Sequence, residues 1–371
     1  MKICVITTVH PPDDVRINKE LKTLRDAGHK VHYIAPEGCF DFEGIDYIPI
    51  SKYSGRFKRL FIASKEAMKR AFEVDAEVYH FHDPELISLG LKLKKHGKKV
   101  IYDIHEDYPS VIMMKAWIPS LLRPIISKSF SWYQSRAVKR FDGIIVTVEE
   151  YLSSLRKMNS VAIVPNYPDL DFLFSIPRPK TSNDTDNIKF VYVGSVDEDR
   201  SIAEIIEAFT ILKNKGKNIS LEIIGPLYSE KLRILIENAK TNYSSFSYYP
   251  RLFYEDAMKR TAAGHVGLLI VHRGKSKEES SPLKMYEYMA LGMPQIASNF
   301  TAWRSVLDEG PCALYVDPDD PMDIAEKMES FCDNPKLIEE LGTNAKQVVR
   351  KYSWSAIENR LLSLYEKILK E

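Results

Sequence analysis

The chain reads as an α/β protein of two doubly wound, Rossmann-like halves facing each other across a cleft. Three observations predict this. Short apolar runs alternate with helical patterns along the whole length, as parallel βαβ units require. A segment rich in Pro, Ser, Thr, Asn and Asp, from Ser175 to Asn187, splits the alternation into two series. The length of 371 residues also exceeds what one core ordinarily serves, so two domains of roughly 150–200 residues are expected. The predicted division is 1–180, 188–354 and a C-terminal helix over 355–371 that packs back toward the first domain.

Lys2 to Thr8 is a short apolar run, followed by a turn at Pro11-Pro12-Asp13-Asp14. Ile17, Leu21 and Leu24 then share a helical face, Gly28 closes that helix, and Val31 to Ala35 is the next strand. Val78–His82 and Lys99–Ile104 flank a helical stretch that begins at Pro84, and Gly143–Thr147 and Val161–Val164 flank another. The second series has strands at Phe190–Gly194, Leu221–Gly225, Val266–Ile270 and Gln295–Ala297, with helices after Ser201, Ser229, Tyr254 and Pro282. Ile357, Leu361, Leu364 and Ile368 put one apolar face on the terminal helix.

Composition excludes several classes. With 44% hydrophobic and 28% charged residues the chain is globular, and it has no run approaching the ~20 apolar residues of a spanning helix. The first strand is too short for a secretory signal. Four scattered cysteines without a C-x-x-C pair fit a reducing cytoplasm and support no disulfide or metal framework. Residues 1–180 carry 28 Lys and Arg against 22 Asp and Glu, the remainder 24 against 29. That bias suggests an anionic partner for the first half but is too weak for nucleic acid. Neither half shows G-x-G-x-x-G after its first strand, which disfavours a dehydrogenase.

The segment Glu278-Glu-Ser-Ser-Pro-Leu-Lys-Met-Tyr-Glu-Tyr-Met-Ala-Leu-Gly-Met-Pro294 carries the chemistry. Ser281 is suited to the N-cap, Pro282 to the first helical position, and Gly292 and Pro294 to the stop. The N-terminus of such a helix is an anion site, and Lys284 in its first turn makes sense if a diphosphate sits there. Glu279 and Glu287 could then accept hydrogen bonds from sugar hydroxyls on either side. An ordinary capped surface helix with a Lys–Glu pair is the competing reading.

Glu279-x7-Glu287, followed by Tyr-Met-Ala-Leu-Gly-Met-Pro, resembles the E-x7-E signature of retaining glycosyltransferases of family 4, which have the GT-B fold. His10-Pro-Pro-Asp-Asp-Val-Arg-Ile-Asn-Lys-Glu20, His80-Phe-His-Asp-Pro-Glu85, Tyr102-Asp-Ile-His-Glu-Asp107, Ile163-Val-Pro-Asn166 and Tyr192 to Arg200 resemble further landmarks of the family in the right order. The resemblance implies donor contacts through Glu279 and Glu287, with backbone groups of Ser280, Ser281, Pro282 and Leu283 on the diphosphate. Gly194 and Ser195 would form the first donor loop. The family's first basic residue is replaced by Ser195, so Arg200 and Lys284 are expected to neutralise the phosphates. The nucleobase would lie against Pro226 and the Arg251-Leu252 turn.

His105 stands where the family places a histidine near the reaction centre. Catalytic roles therefore fall to His105, Glu279, Arg200 and Lys284. His10, Asp13 and Arg16, at the mouth of the first strand, are candidates for acceptor or phosphate contact, although Asp13-Asp14 could simply cap the helix. His80 and His82 share one strand face with Asp83 close by, but no further ligand is evident, so no metal and no cofactor are expected.

From Met113 to Phe141 the chain has six Lys and Arg, no acidic residue, and Trp117, Leu121, Leu122, Ile125, Ile126, Trp132 and Tyr133 among them. Ser51 to Arg70 is also basic. These stretches suit either an interfacial surface on anionic lipid or core helices with solvated basic faces. The expected activity is transfer of a hexose-type sugar from a nucleotide sugar to a glycan or lipid-linked acceptor. Its setting would be bacterial surface-polysaccharide or lipopolysaccharide assembly, in the cytoplasm or on the inner membrane face. A sugar-nucleotide epimerase, or a non-catalytic sugar-nucleotide-binding partner of a membrane assembly, is the alternative.

Overall fold

A computed structural model of the chain describes all residues except 54, 56–57, 106, 116, 149–159, 179–186 and 371, and the side chains of 59, 275 and 276. The helix expected between the strands at 143–147 and 161–164, and much of the expected linker, lie outside the described residues. Packing divides the chain into two units, Met1–Asn166 with Ser355–Glu371, and Tyr167–Trp354. The break thus falls before the Pro- and Ser-rich segment, because Leu170 and Leu173 of the helix Leu170–Ser175 are buried in the core of the second unit.

In the first unit, β1 (Lys2–Ile6), β2 (Lys30–Pro36), β3 (Ile45–Ile50), β4 (Val78–Phe81), β5 (Lys99–Ile104), β6 (Gly143–Val146) and β7 (Val161–Ile163) form one sheet in the order β3-β2-β1-β4-β5-β6-β7. Every pairing is parallel, with Ile3 between Val31 and Val78. The order reverses between β1 and β4, and in such sheets the carboxyl ends at the reversal are where ligands bind. The helix Val15–Asp26 follows β1, capped by Asp14, whose carboxylate accepts from the amides of Arg16 and Ile17.

The C-terminal helix Trp354–Lys370 belongs to this unit from Ser355 onward. Ile357, Leu361, Leu364 and Ile368 are all buried. Leu364 needs Gly143 beneath it: a Cβ there would stand 3.3 Å from its methyl group. Thr23 also donates to Glu358 at 3.0 Å.

The second unit repeats the plan with β8 (Ile188–Val193), β9 (Ile219–Ile224), β10 (Phe246–Tyr249), β11 (Val266–Leu269), β12 (Gln295–Ser298) and β13 (Ala313–Val316). All pairs are parallel, in the order β10-β9-β8-β11-β12-β13, and the reversal lies between β8 and β11. The central strands are buried on both faces, so they read as continuous apolar runs. Both units are Rossmann-like.

Three strands escaped the sequence reading: β3, β10 and β13. All are sheet edges and part-exposed; β3 and β10 also carry polar or Pro residues such as Asp46, Pro49 and Ser247, while β13, Ala-Leu-Tyr-Val, is only four residues long. Edge strands lose the apolar run that marks a central one.

Candidate active site

In the second unit, the functional residues collect after β8, β9, β10 and β11. Gly194 and Gly225 follow β8 and β9 with φ of 137° and 147°. A Cβ on Gly225 would lie 1.8 Å from the carbonyl oxygen of Gly194, so only glycine lets these two loops touch. Pro226 accepts from the Val196 amide at 2.9 Å, tying the Ser195 loop down, and the Tyr192 hydroxyl donates to the Ser195 carbonyl at 2.6 Å. Arg251 is exposed and Leu252 half-buried just beyond β10, whose Tyr249 carbonyl accepts from the Gly225 amide at 2.9 Å.

After β11 comes the short helix Lys275–Glu278, and then Glu279, exposed. The helix expected at Pro282 begins one residue later. It spans Leu283–Ala290, and extended backbone at Pro282 makes that residue the N-cap, not the first helical residue. Ser281 is no side-chain cap either. Its hydroxyl is drawn to the Tyr286 hydroxyl, 2.6 Å away, while the Ser280 hydroxyl donates to the Lys277 carbonyl. Among the described residues nothing accepts the amides of Leu283 and Lys284, so the first turn is open. Gly292, φ 65°, ends the helix as expected.

Lys284 extends back over the Tyr192 ring, with its Nζ 4.1 Å from the ring centre and close to Gly194. No carboxylate of the described residues forms an ion pair with it. Burial, and then the nearby charge of Arg200, hold its ammonium well below the usual lysine range. Arg200 itself is more open and faces Asp197 at 3.8 Å. Two basic side chains are thus brought together beside Asp197, in front of an open helix N-terminus. That is a place for an anion. Glu287, one turn further on, is only 5% exposed and lies beside the Tyr254 hydroxyl, which burial and this carboxylate raise.

The first unit gathers a second group of residues. His10 Nδ1 is 3.1 Å from Asp14, and its ring lies 5.5 Å from that of His105. Burial raises the Asp14 carboxyl, but the His10 contact and the Ile17 amide outweigh it and hold it at about 2. Asp13 is half-buried and Asp14, not Asp13, is the cap. Arg16 does not stand at the mouth of the strand as expected. It is buried, because Asp103 accepts from it at 2.8 Å, Glu20 pairs with it at 3.2 Å and the Val164 carbonyl takes a third bond at 2.9 Å.

His105 keeps partial exposure, with its Nε2 3.1 Å from Asp103 and 3.0 Å from His82 Nδ1. Behind it lie residues to which the sequence reading gave no role, Glu20 and Asp103, together with His80 and His82, all fully buried. Burial pushes His80 down to about 4 and His82 well below its usual range, so both rings are neutral. Burial also raises the Glu20 carboxyl. Asp103 is held down by Arg16 against the same effect. The only sequence signal for this group was the H-x-H pair, since Glu20 and Asp103 reach it from another helix and strand.

The basic stretch is also placed. The helix Arg123–Val138 buries only Ala137 and Val138. Leu121 is 86% exposed, Ile125 62%, Trp132 60% and Trp117 55%, with Lys115, Lys128 and Arg136 also exposed. Leu60, Phe61 and Ile62, in the π-helical turn Arg59–Ala63, are exposed too. The core-helix reading is therefore wrong for Arg123–Val138. No helix of the described residues is long and apolar enough to cross a membrane.

Two parallel-sheet Rossmann-like units are the architecture of the GT-B fold. Residues 15–172 match the family described as Glycosyltransferase Family 4 and residues 175–348 match Glycosyl transferases group 1, so the chain belongs to these glycosyltransferases along nearly all its length. It is similar to a phosphatidyl-myo-inositol mannosyltransferase of Mycolicibacterium smegmatis, 24% identical over 94% of this chain and 88% of that one. The capsular polysaccharide biosynthesis glycosyltransferase CapM of Staphylococcus aureus is 30% identical over 50% of this chain and 48% of its own. In fold, sucrose-phosphate synthase of Thermosynechococcus elongatus superposes with a TM-score of 0.78 at 17% identity, covering 100% of this chain and 99% of that one. Anabaena Alr3699/HepE in complex with UDP and glucose does so at 0.70 and 10% identity, covering 99% of each chain.

Proposed function

We propose that this glycosyltransferase moves a hexose-type sugar from a nucleoside-diphosphate sugar to a glycan or lipid-linked acceptor, with retention of anomeric configuration. The observation that carries the reading is Lys284, half-buried over the Tyr192 ring and in no ion pair with a described carboxylate, at the open end of the helix Leu283–Ala290. A diphosphate placed there would take the amides of Leu283 and Lys284, the Lys284 ammonium and the Arg200 guanidinium. The charge that develops on the leaving group would be stabilised without a metal at the phosphates. Glu287 would hold the ribose and Glu279 the sugar. The leaving phosphate would assist front-face attack by the acceptor.

The acceptor side is read from the exposed apolar and basic residues of 113–141. Leu121, Ile125 and Trp132 would enter the lipid interface while Lys115, Lys128 and Arg136 meet anionic headgroups. Peripheral binding on the cytoplasmic face would bring a lipid-linked acceptor to the enzyme. Surface-polysaccharide or lipopolysaccharide assembly fits this, and the similarity to CapM supports it.

Incubation with a panel of nucleotide sugars and lipid extracts, following released nucleoside diphosphate, tests the transfer. One donor should turn over only with acceptor, and Lys284→Met should lower the rate by about 10²–10³-fold. A panel in which no sugar moves would sink the proposal. Flotation with anionic vesicles at low and high salt tests the surface, and binding indifferent to salt and to lipid charge would remove it.

A further inference from the structure

We propose that Glu20, His80, His82 and Asp103 form a buried site for a divalent transition metal of the zinc class, inside the first unit and separate from the donor phosphates. One ligand atom from each of the four lies within 4.8 Å of all the others. His80 Nε2 is 3.9 Å and His82 Nε2 3.7 Å from the same Glu20 oxygen, and His80 Nε2 is 4.0 Å from Asp103 Oδ2. These separations are too long for hydrogen bonds. Zinc bonds of about 2.0–2.2 Å at tetrahedral angles put neighbouring ligand atoms about 3.3–3.6 Å apart, so these three pairs lie within a few tenths of an ångström of that spacing, and the widest pair, at no more than 4.8 Å, would close by about an ångström on an ion.

The second, independent observation is what these atoms lack. Glu20 Oε2, His80 Nε2, His82 Nε2 and Asp103 Oδ1 accept or donate no hydrogen bond, although all four residues are fully buried. Buried polar groups are normally satisfied, and the orphaned Nε2 atoms of His80 and His82 gathered at the orphaned Glu20 Oε2 mark a missing occupant, while Asp103 faces them through Oδ2, which also accepts from Arg16. The outer nitrogens are already held: His80 Nδ1 meets the Tyr365 hydroxyl at 2.9 Å and His82 Nδ1 meets His105 at 3.0 Å. Such outer bonds fix a ligand imidazole with its other nitrogen toward the metal.

Charge points the same way. Two buried carboxylates face the single guanidinium of Arg16, so a second positive charge, an ion or a proton, belongs beside them. A cation satisfies both the charge and the orphaned atoms. A proton shared between the two carboxylates would satisfy the charge alone and leave both Nε2 atoms without partners.

The test uses the full chain, expressed without a polyhistidine tag in zinc-supplemented medium and freed of loose metal by gel filtration. Elemental analysis should find about one zinc per chain. His80→Gln and Glu20→Gln should each cut that stoichiometry severalfold. Cobalt(II) added to metal-stripped wild-type protein should give the ligand-field absorption of a tetrahedral site, a readout that needs neither a stable variant nor sugar transfer. Metal-free wild-type protein that gives no cobalt spectrum would overturn the site and leave the shared proton. So would zinc that survives both substitutions.

Discussion

His80 Nδ1 and the Tyr365 hydroxyl are 2.9 Å apart, although 285 positions separate them in the chain. The C-terminal helix thereby reaches the middle of the first sheet and braces a histidine behind its functional residues. Tyr365→Phe leaves the His80 nitrogen buried without that partner, a loss of about 1–3 kcal/mol. Chemical denaturation of the first unit's transition would show it. An unchanged midpoint would mean that the contact is incidental.

Gly225→Ala should be among the most damaging single-methyl changes in the second unit. The new Cβ would sit 1.8 Å from the Gly194 carbonyl oxygen, and the backbone at φ 147° is closed to L-residues. Loss of more than about 2 kcal/mol is expected, together with loss of nucleotide binding. Thermal unfolding and nucleotide titration of the variant would check both, and a variant with wild-type affinity would separate this loop from the donor site.

Burial, and then the charge of Arg200, hold the folded-state pKa of Lys284 well below its ordinary value, so it loses its proton more readily than a free lysine. A bound diphosphate favours the charged form and raises that pKa. Binding should therefore take up protons at a pH where the free protein's Lys284 is partly neutral. Titration calorimetry in two buffers of different ionisation heat reads the number directly. Lys284→Met should abolish the uptake, and uptake that persists in the variant would place the anion elsewhere.

Asp14 caps a helix with its carboxyl held at about 2, below its unfolded value of about 3.9. A depressed carboxyl stabilises the fold above the unfolded pKa, and that contribution is lost as pH falls from about 4 to 2. Asp14→Ala should cost about 1 kcal/mol at neutral pH. The gap between variant and wild type should narrow on acidification through that window. Acid titration of both proteins would show whether it does.

The fold was legible in the sequence wherever burial was two-sided. β1, β4, β5, β8, β9 and β11 are covered along most of their length, so Val, Ile, Leu, Phe and Tyr dominate them, with His80, Asp103, Lys189 and Glu222 among the interruptions. β3, β10 and β13 were missed because an edge strand keeps one side wet. Among the candidate site residues, Glu279, Lys284 and Glu287 could be proposed together from the sequence because nine consecutive positions hold all three. The start of their helix was misplaced by a residue, since Ser281 found a tyrosine hydroxyl in place of the backbone. Glu20, His80, His82 and Asp103 were not readable as a set. Their proximity depends on the pairing of β4 with β5 and on Arg16 turning inward, and no local pattern encodes either. The exposed face of Arg123–Val138 was only half readable, because interleaved Trp and Arg suit a lipid surface and a solvated core helix equally.

The most direct test of the donor site is calorimetric titration of the wild-type protein and of Glu287→Ala with UDP, GDP, ADP and dTDP. One nucleoside diphosphate should bind the wild type with micromolar affinity, and a folded Glu287→Ala variant should bind it at least about tenfold more weakly. Wild-type protein that binds none of them, or a variant that binds as tightly as the wild type, would contradict the assignment of the helix Leu283–Ala290 as the nucleotide site.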